Sequence, residues 1–385
     1  MTTEKMESMP DIHACATPSL VVNLPALRRN IERMNQRARA LGVMLRPHLK
    51  TAKCIDVARL LQSDISTGIT VSTLKEAEYF LAHGISDILY AVSIAPAKLS
   101  RVAKLNSAGA RIQIILDLPE TAQRVVHAAR DHGTSFDVLI EIDVDGHRAG
   151  IEPDDPDLLE IARILHDAEE TRLLGVMTHA GEAYACSNTA ELAVHAEIER
   201  SRCVAAAQRL RKIDIPCPIV SVGSTPTALC ADNLNGVTEL RAGVYVFFDL
   251  FQAGLGVCDT GDISLSVLTS VISHKHSHQR LIVDAGGLAL SKDHSTSLQH
   301  DDPGYGLVAS AVDGLLIPGL RVASVDQEHG IIQLDHPADF ARFPVGSQLR
   351  ILPNHACMTA AAHDQYLVVD DSGAIQEIWT RCNGW

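Results

Sequence analysis

The sequence predicts an α/β protein with two domains: a TIM-like (β/α)8 barrel over residues 17–255 and a mostly antiparallel β domain over residues 256–385. Three observations support this. A chain of 385 residues is longer than one small domain needs. Up to about residue 255, short apolar runs with strand character alternate with amphipathic helical segments. Beyond that point helical periodicity nearly disappears and short β-type runs dominate.

The barrel prediction depends on eight apolar runs, each followed by a segment about the length of a helix. Eight such βα-like units favour a (β/α)8 barrel, with a doubly wound sheet as the alternative. Residues 74–81 illustrate the intervening helices, because their apolar positions recur at three- and four-residue spacing and stop before Gly84. The eight runs are Val43–Leu49, Gly68–Ser72, Asp87–Val92, Arg111–Leu116, Phe136–Asp143, Leu174–Thr178, Ile219–Val222 and Glu239–Phe247.

The second domain is predicted from runs of four to nine residues that lack helical spacing. They are Leu265–Ser273, Arg280–Val283, Gly330–Leu334 and Gln348–Leu352. The N-terminal segment 1–23 contains a further apolar run, Leu20–Val22, which is a candidate additional strand of this β domain.

Charge and composition exclude several classes of protein. The net charge of −14 and the pI near 5.7 argue against nucleic-acid binding, which needs a concentrated basic surface. No stretch reaches the roughly 18 apolar residues of a membrane span, so we expect a soluble, cytoplasmic protein. The nine cysteines are odd in number and scattered without a Cys-x-x-Cys pair. This argues against a disulfide framework or a structural zinc knot.

If the barrel is correct, the residues that follow each strand lie on its catalytic face. This rule brings together Lys50, Ser72, Thr73, residues 145–148, His179, residues 223–225 and residues 243–245. The segment 221–227 reads Ser-Val-Gly-Ser-Thr-Pro-Thr, in which small residues let backbone N–H groups approach an anion and Pro226 can open a helix. After the seventh strand, where barrels commonly hold phosphate, it predicts a phosphate site. The alternative is a plain loop.

Lys50 is the candidate Schiff-base residue, in the segment Arg-Pro-His-Leu-Lys-Thr-Ala-Lys over residues 46–53. A lysine at a strand-to-helix junction can bond an aldehyde cofactor if a phosphate site lies nearby. The neighbouring cations Arg46, His48 and Lys53 favour the neutral, nucleophilic form of an amine. The alternative is an ordinary surface lysine.

Arg148 follows the fifth strand in a tight acidic turn. It either forms a structural ion pair with Asp143 or Asp145, or donates to the phenolate oxygen of a cofactor. The sequence leaves both alternatives open.

His355 and Cys357 are the candidate metal ligands. They lie two residues apart, so on an extended segment their side chains share a face and can bind one metal ion at an open site. The alternative is a buried thiol beside a histidine with other partners. Residues 326–330, Asp-Gln-Glu-His-Gly, supply further acid–base groups or form a polar turn.

Several sequence blocks resemble fold-type III pyridoxal-phosphate enzymes that act on β-hydroxy-D-amino acids, the D-serine dehydratase and D-threonine aldolase family. The resemblance runs from about residue 17 to residue 385. Residues 142–148 and 244–249 are similar to members that act on D-threo-3-hydroxyaspartate. The other matching blocks are residues 17–22, 46–51, 68–78, 220–227, 241–245, 283–286, 327–330 and 353–357.

The resemblance implies an alanine-racemase-like barrel, a homodimer, and a role for each site residue. It implies that Lys50 holds pyridoxal 5'-phosphate and that Arg148 and Tyr184 line it. It also implies that His355 and Cys357 bind a divalent metal (Zn, Mn or Mg). The expected phosphate-binding residues are Gly223, Ser224, Thr225, Gly243 and Tyr245.

The activity implied is dehydration of a small β-hydroxy-D-amino acid by a lyase. Either D-threo-3-hydroxyaspartate gives oxaloacetate and ammonia, or D-serine gives pyruvate and ammonia. The alternative is an aldolase that cleaves D-threonine or 3-hydroxy-D-aspartate to glycine and an aldehyde. Cys357 favours dehydration, because a thiolate suits zinc, whereas aldolase relatives tend to place a carboxylate there and use harder ions such as manganese. A cofactor carrier without strong catalysis and a racemase are weaker alternatives.

Overall fold

A computed structural model describes residues 11–146 and 148–385 of the chain. These residues form two compact units. The barrel unit comprises residues 32–245 with residues 382–385, and the β unit comprises residues 11–31 with residues 246–381. No helix of the described residues is long and apolar enough to cross a membrane.

Helices and strands alternate up to about residue 240, and strands dominate afterwards. The strands are β1 (Ser19–Asn23), β2 (Met44–Leu45), β3 (Ile69–Val71), β4 (Asp87–Ser93), β5 (Arg111–Leu116), β6 (Phe136–Ile142), β7 (Thr171–Thr178), β8 (Ile219–Val222), β9 (Glu239–Leu240), β10 (Leu265–Lys275), β11 (Arg280–Val283), β12 (Leu307–Ser310), β13 (Leu316–Val325), β14 (Gly330–Gln333), β15 (Gln348–Leu352), β16 (Gln365–Val369) and β17 (Ile375–Thr380). The α-helices are α1 (Leu24–Leu41), α2 (Ile55–Leu60), α3 (Leu74–Ala82), α4 (Leu99–Ser107), α5 (Pro119–His132), α6 (Asp157–Asp167), α7 (Thr189–Arg211), α8 (Thr225–Cys230), α9 (Leu250–Gly254), α10 (Gly287–Leu290) and α11 (Ala356–Ala360). Short 3-10 helices occupy Ile12–Ala14, Pro96–Lys98, Glu182–Ala185, Val244–Val246, Thr260–Asp262, His276–His278, Ser295–Leu298 and Pro337–Arg342.

The barrel unit is built on an eight-stranded parallel sheet in the order β2-β9-β8-β7-β6-β5-β4-β3. Its two edges meet, because isolated parallel bridges join Leu45 to Ser66 and His48 to Thr70. Apolar side chains of the four neighbouring strands β4 to β7 form one buried cluster, namely Leu89, Ile115, Leu139 and Met177. The predicted (β/α)8 barrel is therefore confirmed, and a doubly wound sheet is excluded.

Helix α3 shows how the local sequence sets the barrel helices. The Thr73 hydroxyl accepts a hydrogen bond from the Glu76 N–H at 3.0 Å, which caps the first turn. Leu74, Ala77 and Phe80 form the buried face, and the helix ends just before Gly84, which has a φ of +88°. The predicted helix is confirmed.

The first and last predicted barrel strands are shorter than expected. Only Met44–Leu45 and Glu239–Leu240 have regular strand structure. Beyond Leu240 the segment around Gly243 lies very close to the segment around His48. A Cβ on Gly243 would lie 2.6 Å from the His48 carbonyl oxygen. The chain therefore leaves the strand and forms the 3-10 helix Val244–Val246.

The β unit contains a nine-stranded sheet in the order β11-β14-β13-β12-β15-β10-β1-β16-β17. An additional pairing of β11 with β10 closes six of these strands into an antiparallel barrel. Strand β1, which contains Leu20–Val22, pairs antiparallel with β10 and parallel with β16. Residues 326–329 form the turn between β13 and β14, so this fragment is a polar hairpin turn.

The division between the units falls between Tyr245 and Val246, earlier in the chain than the predicted boundary at residue 255. Hydrogen bonds explain why residues 246–255 belong to the β unit. The Ser264 N–H donates to the Phe247 carbonyl at 2.8 Å, and the Asp249 carboxylate accepts from the Ala356 N–H at 2.9 Å.

Candidate active site

Lys50 lies in the turn between β2 and α2, at the carboxyl-terminal end of the first barrel strand. Both neighbouring strand regions hold the backbone just before it. The His48 N–H donates to the Ala242 carbonyl at 2.8 Å, and the Leu49 N–H donates to the Thr70 carbonyl at 2.8 Å. The Lys50 side chain is exposed, and no carboxylate of the described residues forms an ion pair with its amine. The fold therefore presents an unpaired amine where the sequence predicts one.

Lys53, three residues further on, has a different environment. Its amine lies 3.2 Å from the Glu76 carboxylate, and Glu76 is fully buried. An amine held by a buried carboxylate is charged and unavailable as a nucleophile. This geometry favours Lys50 over Lys53 as the Schiff-base residue.

Arg46 is not one of the cations that act on Lys50. Its guanidinium is buried and pairs with Glu239 at 2.7 Å and with Asp87 at 2.8 Å. Burial opposes the charged form of Arg46, but these two carboxylates outweigh it and raise the pKa of Arg46. The expectation that Arg46 and Lys53 supply free positive charge near Lys50 is therefore wrong, because each is balanced by a carboxylate.

The positive charge of this region comes instead from Lys50 itself, Arg148 and Arg241. Burial lowers the pKa of His48 well below its usual value, and the charges of Lys50 and Arg241 lower it further. Burial likewise lowers the pKa of His179 to about 3, with Arg148 and Lys50 adding to the effect. Lys50 and Arg241 thus act on both imidazoles, and Arg148 acts on His179. The carboxyl-terminal ends of β2, β6, β7 and β9 converge on one electropositive region, as a barrel requires.

Tyr184 lies beside His179 in this region. The two ring centroids are 5.9 Å apart and tilted by 42°, and His179 Nδ1 lies 3.4 Å from the Gly223 carbonyl oxygen. The Glu182 N–H donates to Asp145 at 2.9 Å, which ties the loop carrying Tyr184 to the loop before Arg148. The aromatic surface of His179 and Tyr184 is therefore held next to the loop that follows β8.

The loop after β8 is shaped by its own internal hydrogen bonds. Gly223 has a φ of +122°, and a Cβ there would lie 2.5 Å from the Arg241 carbonyl oxygen, so only glycine is accommodated. The Ser224 N–H donates to the Thr227 hydroxyl at 3.0 Å, and the Ser224 hydroxyl in turn accepts from the Thr227 N–H. These two residues form the capping box of α8.

Buried donors near this loop lack partners, which provides a test of whether it suits a phosphate. Among the described residues, the N–H groups of Thr225, Gly243 and Val244 have no acceptor, and Thr225 and Gly243 are buried. The buried Tyr245 hydroxyl also lacks a partner within the described part of the chain. Buried donors are almost always satisfied in proteins, so an anion with several acceptor oxygens suits these groups. The residues present fit the phosphate of pyridoxal phosphate.

Glu199 is a buried residue near the site that sequence reasoning did not identify. Its carboxylate accepts from the Ala180 N–H at 3.0 Å and from the Gly223 N–H at 3.1 Å, so the Gly223 N–H is already occupied. Burial raises the pKa of Glu199. Glu199 lies in the middle of α7, far from any strand end, so the rule that site residues follow barrel strands could not find it.

The β unit carries the candidate metal ligands. His355 occupies the N-cap position of α11 without a side-chain capping hydrogen bond, and Cys357 is the second residue of that helix. The expectation that both side chains share the face of an extended segment is wrong, because the chain turns into a helix immediately after His355. The imidazole and the thiol nevertheless form a side-chain hydrogen bond, since a helix turn brings the capping residue next to the first turn.

Two carboxylates complete this cluster. His355 Nδ1 lies 2.8 Å from Asp293 Oδ2, and the Ala356 N–H donates to Asp249. Burial lowers the pKa of His355, but Cys357, Asp249 and Asp293 outweigh it and raise that pKa to about 10. Burial raises the pKa of Asp249 to about 6. Asp249 and Asp293 are far from His355 in the sequence, and no local pattern links either carboxylate to it.

The donor set of this cluster suits a catalytic metal ion. Metal-binding histidines commonly donate their second ring N–H to a carboxylate, as His355 can to Asp293. That leaves His355 Nε2 and the Cys357 thiolate as ligands, a pair that suits zinc. No group of three or more His, Cys, Asp or Glu side chains within the described ranges could hold a metal. His355 and Cys357 are therefore a candidate pair of ligands, and an open site of this kind can take water or a substrate oxygen as further ligands.

Comparison with known proteins agrees with this architecture. Residues 22–250 match the family model described as alanine racemase, N-terminal domain, and residues 264–369 match a serine dehydratase domain. D-threo-3-hydroxyaspartate dehydratase from Delftia sp. (strain HT23) is 49% identical over 374 residues, which cover 96% of this chain and 98% of that one. A solved structure of the Delftia enzyme has a TM-score of 0.95 and 48% identity, and the match covers 97% of this chain and 100% of that one.

Two more distant relatives carry other activities. D-serine dehydratase from Dictyostelium discoideum is 32% identical over 393 residues, covering 96% of this chain and 97% of that one. D-threonine aldolase from Arthrobacter sp. is 32% identical over 368 residues, covering 94% of this chain and 91% of that one.

A parallel barrel joined to an antiparallel β unit, with a lysine after the first barrel strand, defines the alanine-racemase-like class of fold-type III pyridoxal-phosphate enzymes. Within that class, the chain belongs to the family of D-serine dehydratase and D-threonine aldolase, and it is similar over nearly its whole length to D-threo-3-hydroxyaspartate dehydratase. The predicted family is confirmed.

Proposed function

We propose that this protein is a lyase that dehydrates β-hydroxy-D-amino acids with pyridoxal 5'-phosphate and a divalent metal ion. The preferred reaction is the conversion of D-threo-3-hydroxyaspartate to oxaloacetate and ammonia, followed by that of D-serine to pyruvate and ammonia. The observation that carries the proposal is the contact of His355 with Cys357 beside Asp293, in a chain 49% identical to D-threo-3-hydroxyaspartate dehydratase.

The barrel unit would hold the cofactor. The exposed Lys50 amine is the point of attachment, and the unpartnered donors of Thr225, Gly243 and Tyr245 would bind the phosphate. Gly223 and Ser224 contribute by shaping the loop, since their own N–H groups donate to Glu199 and Thr227.

The β unit would hold the metal through His355 and Cys357. Solved structures of D-threo-3-hydroxyaspartate dehydratase include a cysteine-to-alanine variant in the metal-free form and a histidine-to-alanine variant. The two substituted positions lie two apart in that enzyme, as His355 and Cys357 do here. The thiolate favours zinc over manganese or magnesium.

When bound, the cofactor supplies an electron sink for the bonds at Cα, and the metal supplies a Lewis acid for the departing β-hydroxyl. The chain's own groups then have separate tasks. The Lys50 Nζ removes the proton from Cα of the substrate. Arg148 would donate to the ring oxygen of the cofactor, and Tyr184 and the neutral His179 would line the same region.

Aldol cleavage is the second candidate, because D-threonine aldolase and 3-hydroxy-D-aspartate aldolase are relatives. It would use the same groups but remove the proton of the β-hydroxyl in place of the Cα proton. Cys357 favours dehydration, since harder ions held by carboxylates suit the aldolases.

A product assay separates the two reactions. The purified protein is incubated with D-threo-3-hydroxyaspartate, D-serine and D-threonine, and ammonia, keto acid and glycine are measured. The proposal expects ammonia and oxaloacetate from the first substrate, and neither product from the Lys50→Ala variant. Glycine without ammonia would establish the aldolase and reject the dehydratase.

We also propose that the protein works in the cytoplasm as a homodimer on a small-molecule substrate. All nine cysteines are free thiols, which is typical of a reducing compartment. The dimer follows from family resemblance, and sedimentation of the purified protein tests it.

A further inference from the structure

We propose that Lys53 and Glu76 form a buried ion pair that positions Lys50, an inference that rests on the proposed role of Lys50. The Lys53 amine lies 3.2 Å from Glu76 Oε1, and the two side chains are 17% and 0% exposed. Burying two charges costs free energy that their attraction often fails to recover, so such a pair is a poor source of stability. Its position in the fold indicates what it does.

The pair lies at one end of the turn that carries Lys50. The Lys53 N–H donates to the Leu49 carbonyl at 2.7 Å, which closes a five-residue turn with Lys50 in its second position. At the other end, the Leu49 N–H donates to the Thr70 carbonyl of β3. The path of the chain on both sides of Lys50 is therefore set by Leu49 and Lys53.

The backbone of Lys53 needs support to hold this path. Its φ is +47°, a left-handed conformation that is unfavourable for any residue with a Cβ. Besides its N–H bond, its carbonyl accepts from the Cys382 N–H at 2.8 Å, and its amine reaches Glu76. These contacts offset the cost of the left-handed backbone.

Glu76 connects this turn to the next loop of the barrel. Its carboxylate accepts from the Ser72 N–H at 3.2 Å and from the Thr73 hydroxyl at 3.1 Å. Ser72 and Thr73 follow β3, and the turn of Lys50 follows β2. One buried carboxylate thus joins two neighbouring loops at the same end of the barrel. Without the pair, the turn loses its side-chain link to the loop after β3, and the Lys50 amine is held less firmly.

The same helix provides a matched control. Glu78 pairs with Arg101 on the surface of α3 and α4, where the two side chains are 44% and 39% exposed. Exposed pairs of this kind contribute little to stability. Glu78→Gln therefore removes a carboxylate two residues from Glu76 without touching the turn of Lys50.

The test compares Lys53→Met, Lys53→Arg, the double variant Lys53→Met/Glu76→Gln and the Glu78→Gln control. Pyridoxal phosphate is added to cofactor-free protein, and the Lys50 adduct is trapped with borohydride and quantified by mass spectrometry. We expect trapping to slow about tenfold to hundredfold in the double variant, because a displacement of about 1 Å of a reacting group has effects of this order. Lys53→Arg and the control should stay close to wild type.

Folding is followed by thermal unfolding of each variant. If Lys53→Met does not fold because Glu76 is left unpaired, the double variant decides, since it buries no unpaired charge. A double variant that traps pyridoxal phosphate at the wild-type rate would overturn the proposal.

A second readout does not depend on the cofactor. Acetylation of Lys50 by acetic anhydride, measured on the cofactor-free proteins, should change in the double variant and not in Glu78→Gln. If wild-type Lys50 does not take pyridoxal phosphate, the proposed function fails. The acetylation rate of Lys50 then tests the positioning role by itself, and an unchanged rate in the double variant would reject that role.

Discussion

Two histidines, one in each unit, show opposite electrostatic environments. His179 of the barrel unit faces Arg148 and Lys50, and its pKa is lowered to about 3. His355 of the β unit contacts Cys357 and lies near Asp249 and Asp293, and its pKa is raised to about 10. Both are partly buried, and burial lowers the pKa of each imidazole. At His179 the nearby cations add to the effect of burial, whereas at His355 the thiol and the carboxylates outweigh burial and reverse the direction of the shift.

The contrast indicates what each unit is suited to bind. An electropositive region with unpartnered N–H donors stabilises anions such as a phosphate or the carboxylates of an amino acid. A region with a thiol, an imidazole and two carboxylates stabilises a cation, and a thiol with an imidazole is a donor pair of the kind that coordinates metal ions. Each variant tested changes the binding properties of one unit, and the other unit serves as an internal control.

The largest effect is expected from Lys50→Ala. Loss of this amine removes both the attachment of the cofactor and the proposed base, so turnover should fall at least about 10³-fold. The visible absorbance of the lysine-linked cofactor should disappear, while the metal content of the protein stays at the wild-type level. Absorbance spectra and inductively coupled plasma mass spectrometry measure the two quantities. An unchanged visible band in the variant would show that another residue holds the cofactor.

Removal of the metal tests the β unit, and the visible absorbance of the cofactor in the barrel unit is the control. Cys357→Ala, or chelation of the wild-type protein, should reduce ammonia release about 10²-fold or more, because a Lewis acid contributes several kcal/mol to expulsion of hydroxide. The visible absorbance should remain. Addition of zinc should restore ammonia release in the chelated wild type but should not restore it in Cys357→Ala. Full turnover of the chelated wild type would reject the metal assignment.

A smaller effect is expected from Asp293→Asn. The carboxylate lies 2.8 Å from His355 Nδ1 and orients the imidazole, but it is not proposed as a ligand. Loss of such a supporting group typically weakens metal binding about 10- to 100-fold. Zinc affinity can be measured by competition with a chromophoric chelator. Asp302→Asn is the matched control. It also removes a carboxylate that pairs with a histidine, His294, and it should leave the zinc affinity unchanged.

The barrel and its catalytic end could be predicted because periodic patterns report them directly. The run Ile219–Val222 is a strand with the same bounds in the structure, and Lys50 lies after the first barrel strand as expected. The irregular path after Leu240 could not be predicted, because it depends on the close approach of Gly243 to His48. Local pattern carries no information about which distant segment comes that close.

Charge balance in the site was the least predictable feature. Arg46 and Lys53 are neighbours of Lys50 in the sequence, but Glu239 and Glu76 neutralise them in the fold. The arginines that act on His179, Arg148 and Arg241, follow β6 and β9, which lie far along the chain from Lys50. Asp293 beside His355 is a similar case in the β unit. Charged residues that pair across a fold come from distant parts of the chain, so no sequence spacing predicts which of them will pair.

The smallest predicted effect concerns pH and His179. Its usual pKa is 6.5 and its pKa in the folded chain is about 3, so between these values the unfolded chain binds a proton that the folded chain does not. Stability from this group is therefore present above pH 6.5 and lost as the pH falls toward 3. The groups that act on His179 are Lys50, Arg148, Arg241 and the Gly223 carbonyl.

Urea unfolding between about pH 4 and 7 measures this contribution when wild type is compared with His179→Gln, which cannot titrate. Wild type should lose about 1–3 kcal/mol more than the variant over this range, after discounting for the partial exposure of the ring. Other titrating groups are common to both proteins and cancel in the difference, except His48, whose pKa is itself lowered in part by His179. Parallel pH profiles would mean that neither burial nor the nearby cations lower the pKa of His179 in the folded chain, and the contrast with His355 would then lose its barrel side.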